Sequence, residues 1–244
     1  MLVVSFAVPR RFDLGPQEPT DLERDGVADR GDDVGVVYDP ACGIRAALLH
    51  SIALVATPAR VVGHDINSRA LHIASERAQL HGADLELART NVLLEDAEPS
   101  LRADVIIFEP PFGIKQQSPG RLIDPRFEFG TPPRSSADTT WLQHVIANLT
   151  EDGRGFVLTP AGTIFRGGEE SRVRTELVRR GCVEAVVGLP GKMLPHVSIP
   201  LALWVLRRPV RTAATERILF VDASETDSPE TRVATWLSDP NTRD

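Results

Sequence analysis

Short apolar runs alternate with amphipathic stretches along most of this chain, and each run stops at polar or turn-forming residues. Short runs of Val, Ile and Leu bounded in this way are typical of buried strands, whereas apolar residues spaced three and four apart predict helices. Strands are predicted over residues 34–38, 60–63, 85–88, 105–108, 155–158, 183–187, 201–206 and 218–221. Helices are predicted over residues 44–55, 67–80, 139–149 and 169–180.

The alternation of strands and helices predicts an α/β fold with a doubly wound, mostly parallel, Rossmann-like sheet. Its last strands follow one another without helices between them, which indicates an antiparallel edge. We expect this domain to span residues 34–222, after an irregular lead-in at 1–33 that is rich in Pro, Gly, Asp and Arg. The polar residues 223–244 are expected to form a frayed tail. Residues 116–133 have no periodicity and predict a long functional loop.

The composition limits the classes of function. A net charge of −7 gives no overall attraction to nucleic acid, so any DNA contact requires a local basic patch. Cys42 and Cys182 lie far apart in sequence and are expected to be buried reduced thiols of a cytoplasmic protein. No apolar stretch approaches the roughly 20 residues of a membrane span. The histidines have no metal-ligand spacing, so no metal site is predicted.

The most informative stretch lies where the strand over residues 105–108 ends in Glu109, Pro110, Pro111 and Phe112. Neither proline has an N–H to donate to a strand ladder, so the backbone must leave the sheet here in a stiff turn. The turn presents a carboxylate and an aromatic ring at the carboxyl edge of the sheet. In open α/β sheets, ligands bind at this edge.

Polar residues also follow the earlier strands. Gly43 would let a ligand approach the backbone where the next helix begins. Asp65 is placed to accept hydrogen bonds from ribose hydroxyls, and Asn91 to pair with an adenine edge. Together they predict a nucleoside-type cofactor across this edge. Alternatively, Asp39 and Pro40 form only a strand-ending turn, and Asp65 is an ordinary acidic residue at a helix entry.

A series of motifs matches one known family in order. The turn at Glu109 matches that family's (Asn/Asp)-Pro-Pro-(Phe/Tyr) motif, and residues 39–43 match the start of its cofactor loop. Further matching stretches are residues 153–160, 165–168, 184–190 and 199–206. On these motifs, residues 34–222 resemble class I S-adenosylmethionine-dependent methyltransferases of the adenine-N6 DNA type. Within that family, the chain is most similar to the modification subunit of type I restriction–modification systems.

The resemblance implies a role for each matching residue. A flipped adenine would stack on Phe112, and its N6 amine would donate to the side chain of Glu109 and to the carbonyl of Pro110, with Pro111 completing the motif. Asp65 would hold the ribose of S-adenosylmethionine, and Asp39 would orient its methionine end. The remaining implied cofactor residues are Pro40, Ala41, Cys42, Gly43, Ile66 and Asn91. The implied partners are DNA and a separate specificity subunit that chooses the sequence.

Two positions depart from the family pattern. Glu109 stands where the family has Asn or Asp, and Arg45 stands where its Gly-x-Gly-Gly loop has a glycine. Three functions therefore remain open. The chain is an active adenine-N6 methyltransferase, a methyltransferase-fold binding or scaffold protein without transfer, or a methyltransferase with a substrate other than DNA.

The arginines have two interpretations. Those around the helix at 169–180 are expected mainly to form ion pairs with Glu169, Glu170 and Glu176 on a solvated face; they are Arg166, Arg172, Arg174, Arg179 and Arg180. A DNA-backbone patch is the alternative there. Better candidates for phosphate contacts lie in the loop that flanks the predicted base pocket, namely Arg121, Arg126 and Arg134.

Overall fold

The computed structural model describes residues 35–44, 48, 58–96, 98–115, 124–194, 197–209 and 217–238. Its strands are β1 Val36–Asp39, β2 Arg60–Asp65, β3 Glu86–Arg89, β4 Ala103–Phe108, β5 Leu149–Pro160, β6 Val183–Leu189, β7 Leu201–Leu206 and β8 Leu219–Asp222. Its α-helices are α1 Ser68–Leu80, α2 Asp138–Ala147, α3 Glu169–Arg179 and α4 Pro229–Ser238. Short 3-10 helices cover Pro125–Phe127 and Ala161–Ile164.

The strands form one sheet in the order β3-β2-β1-β4-β5-β7-β6-β8. From β1 the chain builds outward through β2 and β3 on one side and through β4 and β5 on the other, and all these pairs are parallel. The predicted doubly wound sheet is confirmed. The antiparallel pairing expected at its far side is also confirmed, because β7 runs antiparallel to both β5 and β6, while β8 runs parallel to β6.

Strand β4 shows why an unbroken apolar run marks the centre of this sheet. Val105 and Ile107 pack into the core on one face, whereas Ile106 and Phe108 pack into the core on the other. Successive side chains of a strand point to opposite faces, so a strand covered on both faces needs apolar residues at every position. The same strand delivers Glu109 to the carboxyl edge.

Helix α1 begins and ends where the sequence predicts. The side chain of Asn67 caps its start by accepting hydrogen bonds from the backbone N–H groups of Arg69 and Ala70. Gly82, just beyond its end, has a positive φ of 65°, a conformation that glycine adopts without steric cost. The cap fixes the direction in which the chain leaves β2, directly after Asp65.

The expectation of a frayed carboxyl-terminal tail is wrong for residues 229–238, which form α4. Val233 and Leu237 are buried in the core on one face of the sheet. The indole Nε1 of Trp236 donates a 3.0 Å hydrogen bond to the carbonyl of Glu184 in β6. The polar composition of this segment hides an apolar stripe at helical spacing, and burial of that stripe offsets the ordering cost.

Several predictions fall on residues outside the described ranges. These are the lead-in at 1–33, most of the helix predicted for 44–55 with Arg45, and the start of the long loop at 116–123. The domain boundaries stay predictions. Within the described ranges, no helix has the length and apolar character needed to cross a membrane.

Candidate functional site

A cavity of about 770 Å³ opens at the carboxyl edge of β1, β2 and β4, beside the point where the strand order reverses. Its volume falls in the range of small-molecule and cofactor sites. The residues around it come from the loop after β1, the β2–α1 connection, the loop after β3, the turn after β4, and helix α2. Those from the predicted site are Pro40, Ala41, Gly43, Asp65, Ile66, Asn91, Glu109, Pro110, Pro111 and Phe112.

Asp65 joins two of the walls of the cavity. Its Oδ2 accepts a 2.8 Å hydrogen bond from the backbone N–H of Gly43, and its Oδ1 accepts a 2.7 Å hydrogen bond from the N–H of Asn67. The N–H of Cys42 donates to the carbonyl of His64, which adds a second hydrogen bond between the same two segments. Gly43 has a φ of 54°, so the turn that places its N–H over Asp65 favours glycine.

Asn91 lines the cavity in the loop after β3. Its Oδ1 accepts a hydrogen bond from the N–H of Leu93, and its carbonyl accepts from Leu94, so the loop closes on itself. This bond orients the side-chain amide, because only the oxygen can accept. The preceding residue, Thr90, donates its N–H to the carbonyl of Asp65, which ties this loop to the β2 end.

The turn after β4 is held by its own prolines and by the core. Pro110 is buried, Pro111 is exposed, and Phe112 is half-buried against the core on one face of the sheet. The Oε1 atom of Glu109 is buried from solvent at the cavity wall. This turn therefore brings one carboxylate, one proline carbonyl and one aromatic ring to the same cavity that Asp65 lines.

Two predicted cofactor residues do not line the cavity. Asp39 is 4% exposed, and its Oδ1 accepts a hydrogen bond from the N–H of Ala41, which shapes the loop from behind. Cys42 is buried against Gly63, where an added Cβ would lie 3.0 Å from the sulfur. Burial raises the pKa of the Cys42 thiol, and both cysteines are free and buried, as predicted.

A buried polar chain behind the cavity was missed by sequence reasoning. Arg126 is 4% exposed, and its guanidinium contacts the carboxylate of Asp124, with 2.6 Å between NH2 and Oδ2. Its NH1 donates to the carbonyl of Val92 at 2.6 Å and lies 3.1 Å from Nδ1 of His144. The prediction that Arg126 contacts DNA phosphates is wrong, because the guanidinium is enclosed. Of the other two candidates, Arg134 is exposed.

His144 makes the stability of the folded protein depend on pH. Burial, with the charge of Arg126, lowers the pKa of His144 to about 3. The unfolded state takes up a proton below a pKa of about 6.5 while the folded state does not, so stability is lost as the pH falls. Between pH 7 and pH 5 we expect His144 alone to lower the free energy of unfolding by about 2 kcal/mol.

Urea unfolding at several pH values measures this loss. His144→Gln should flatten the dependence, whereas His72→Gln, at an exposed position on α1, should leave it unchanged. A free energy that stays constant between pH 7 and pH 5 would show that His144 titrates normally in the folded protein.

The arginines around α3 form mainly ion pairs, in agreement with the simpler interpretation. Arg166 contacts Glu170 at 3.1 Å and Asp138 at 2.8 Å, and Arg179 contacts Glu176 at 2.6 Å. The Arg166 contact with Asp138 ties α3 to the start of α2. These ion pairs therefore form a structural charge network that links α3 to α2.

The chain matches the family described as N-6 DNA Methylase over residues 21–243. It is 26% identical over 201 residues to the type I restriction enzyme HindI methylase subunit of Haemophilus influenzae, covering 78% of this chain and 45% of that protein. It is 28% identical over 226 residues to the MjaVIII methylase subunit of Methanocaldococcus jannaschii, covering 84% and 39%.

The fold also matches a solved methyltransferase subunit of a type I restriction-modification system from Streptococcus thermophilus. The TM-score is 0.77 at 24% identity, covering 97% of this chain and 52% of that one. The chain thus spans about half, or less, of the length of these three proteins. Because the family match extends over most of the sequence, this chain belongs to the N-6 DNA methylase family.

Proposed function

We propose that this chain transfers a methyl group from S-adenosylmethionine to the N6 amine of an adenine flipped out of DNA. The observation that carries the proposal is the corner formed by Glu109, Pro110 and Phe112, which faces a cofactor-sized cavity bounded by Asp65. A carboxylate, a backbone carbonyl and an aromatic ring are the groups that an amino-substituted base requires. The family membership supports the same assignment.

The cofactor half of the cavity fits a nucleoside. A carboxylate has about four lone-pair sites, and the hydrogen bonds from Gly43 and Asn67 leave Asp65 able to accept from ribose hydroxyls. Asn91 offers an oriented amide, and Ile66 offers an apolar side chain that is 61% exposed at the cavity. S-adenosylmethionine, when bound, supplies an electrophilic methyl group on a sulfonium.

The base half of the cavity would hold the target amine. Its two N–H groups match two acceptors, the Glu109 carboxylate and the Pro110 carbonyl, and these bonds orient the nitrogen lone pair. The ring of Phe112 offers a flat face for stacking, and the two prolines fix the turn before the base arrives. Methyl transfer depends chiefly on such placement, because alignment supplies much of the rate.

The whole protein's partners form part of the same proposal. The curated relatives named above are methylase subunits of type I restriction enzymes. We propose that a separate specificity subunit selects the DNA sequence in the cytoplasm and that this chain supplies the transfer site. The net charge of −7 agrees with this division of roles, because a partner would provide most of the DNA-backbone contacts.

Two measurements on one preparation test the proposal. Calorimetry with S-adenosylmethionine should show binding in the micromolar range. Incubation with mixed-sequence DNA, a specificity subunit and the labelled cofactor, followed by nucleoside analysis, should yield N6-methyladenine. Absence of binding at millimolar cofactor would overturn the proposal.

A second candidate function is a binding or scaffold role without transfer. The observation that favours it is Glu109, which stands where the family motif has Asn or Asp and whose side chain is longer than Asn or Asp by one methylene. Cofactor binding without any N6-methyladenine, even with a specificity subunit present, would assign this role to the chain.

A further inference from the structure

A polar chain runs from the loop after the Glu109 turn to the end of β2, entirely within the protein. It starts at Arg126, passes through His144 and Tyr38, and ends at His64, and each of these residues is at most 4% exposed. The Tyr38 hydroxyl lies 3.3 Å from Nε2 of His144 and 3.0 Å from Nδ1 of His64. Four separate segments of the fold therefore share one line of hydrogen bonds.

The donors and acceptors in this line allow the hydrogen bonds to run in only one direction. Arg126 can only donate, and the Asn148 amide nitrogen at 3.4 Å can only donate, so Nδ1 of His144 must accept. A neutral imidazole that accepts at Nδ1 carries its proton on Nε2, which therefore donates to the hydroxyl of Tyr38. The hydroxyl proton is then directed to Nδ1 of His64, which must also be unprotonated.

Each end of the line is attached to a residue that lines the cavity. Arg126 NH1 donates to the carbonyl of Val92, and Val92 lines the cavity beside Asn91. His64 precedes Asp65, and its carbonyl accepts the N–H of Cys42 in the cofactor loop. Asp124 holds the other side of the guanidinium and caps the short helix at Pro125–Phe127.

We infer that Arg126 is a positioning residue that sets the tautomers of His144 and His64 and so holds the two halves of the cavity in register. This inference rests on the proposed function only for its effect on turnover. Arginine suits the role because one planar fork reaches Asp124, Val92 and His144 together. A lysine presents its donors from a single atom and cannot bridge all three.

Nitrogen-15 spectra of the histidine rings test the direction of the line without any activity measurement. In the wild-type protein at neutral pH, His144 and His64 should both show the Nε2–H tautomer. Tyr38→Phe should leave the tautomer of His144 unchanged. It should allow His64 to populate both tautomers, because the hydroxyl that donates to its Nδ1 is lost. Arg126→Met should change the tautomer populations of both histidines, although His64 is three hydrogen bonds away from the arginine.

Turnover tests the consequence of the line. Arg126→Lys should lower kcat for methyl transfer roughly tenfold or more, with the KM for S-adenosylmethionine within about threefold, because misplacement affects the transfer geometry first. Arg154→Met is the matched control. It removes an ion pair with Glu184, away from the cavity, and should change neither kcat nor the tautomers.

Three results would overturn the inference. One is an Nδ1–H or doubly protonated His144 at neutral pH in the wild-type protein. Another is a His64 tautomer that does not respond to Tyr38→Phe. The third is a kcat in Arg126→Lys equal to that of Arg154→Met. The first two need only the wild-type protein and a mild variant, so they remain decisive where Arg126→Met fails to fold. A wild-type protein that does not bind S-adenosylmethionine would overturn the proposed function while leaving the tautomer results valid.

Discussion

Replacing Glu109 by alanine is expected to lower methyl transfer at least about a hundredfold while leaving S-adenosylmethionine affinity within about threefold. In the proposed mechanism the carboxylate is one of two acceptors for the target amine, and its Oε1 is buried at the cavity wall. Loss of an interaction made in the transition state lowers kcat without weakening cofactor binding. Single-turnover transfer and calorimetry on the same variant separate the two effects.

Two further substitutions at Glu109 show which property of the side chain matters. Glu109→Gln keeps the length and one acceptor oxygen, so transfer should stay within about tenfold of the wild type. Glu109→Asn restores the family residue and shortens the reach by about 1 Å, and we expect it to raise transfer. An alanine variant as active as the wild type would show that Glu109 does not contact the amine.

The strands of the sheet and the site residues at their carboxyl ends could be predicted from the sequence for a physical reason. Strands buried on both faces must be apolar throughout, so β4 and its neighbours are visible as runs that end at polar residues. Parallel strands also bring their carboxyl ends to one edge, so Asp65, Asn91 and Glu109 meet although they are distant along the chain. All three residues line the same cavity.

The burial of Arg126 could not be predicted from the sequence. An arginine in a polar loop is normally exposed, and nothing local distinguishes it from Arg134. Its burial depends on Val92 and His144, which come from other segments and are brought to it only by the fold. Burial of a charge requires this complete set of partners, and a single sequence does not show which distant groups will supply them.

Helix α4 was missed for a related reason. Its residues are polar on average, and the stripe formed by Val233 and Leu237 is short. A helix of this length is marginal alone and is stabilised mostly by packing. The packing surface is supplied by the sheet, including the carbonyl of Glu184 that accepts from Trp236, so the helix depends on tertiary contacts rather than on its own propensity.

Replacing Asp65 by alanine is expected to weaken S-adenosylmethionine binding roughly a hundredfold, because hydrogen bonds to a charged acceptor contribute about 1.5–3 kcal/mol each. The variant loses the proposed ribose acceptor and also the ties to the N–H groups of Gly43 and Asn67. Asp65→Asn keeps one acceptor oxygen and should lose about tenfold. Calorimetry measures both affinities directly.

Asp84→Ala provides the matched control for Asp65, because Asp84 is an exposed carboxylate just before β3. It removes the same charge and should leave the affinity unchanged. Equal affinities in Asp65→Ala and the wild type would show that the cofactor lies elsewhere. An affinity loss in Asp65→Ala that Asp65→Asn does not share would assign the role of the residue to its acceptor oxygen and not to its charge, because asparagine keeps an acceptor at the same position and carries no charge. The expected graded loss instead identifies Asp65 as the shared support of the cofactor and of the loop that covers it.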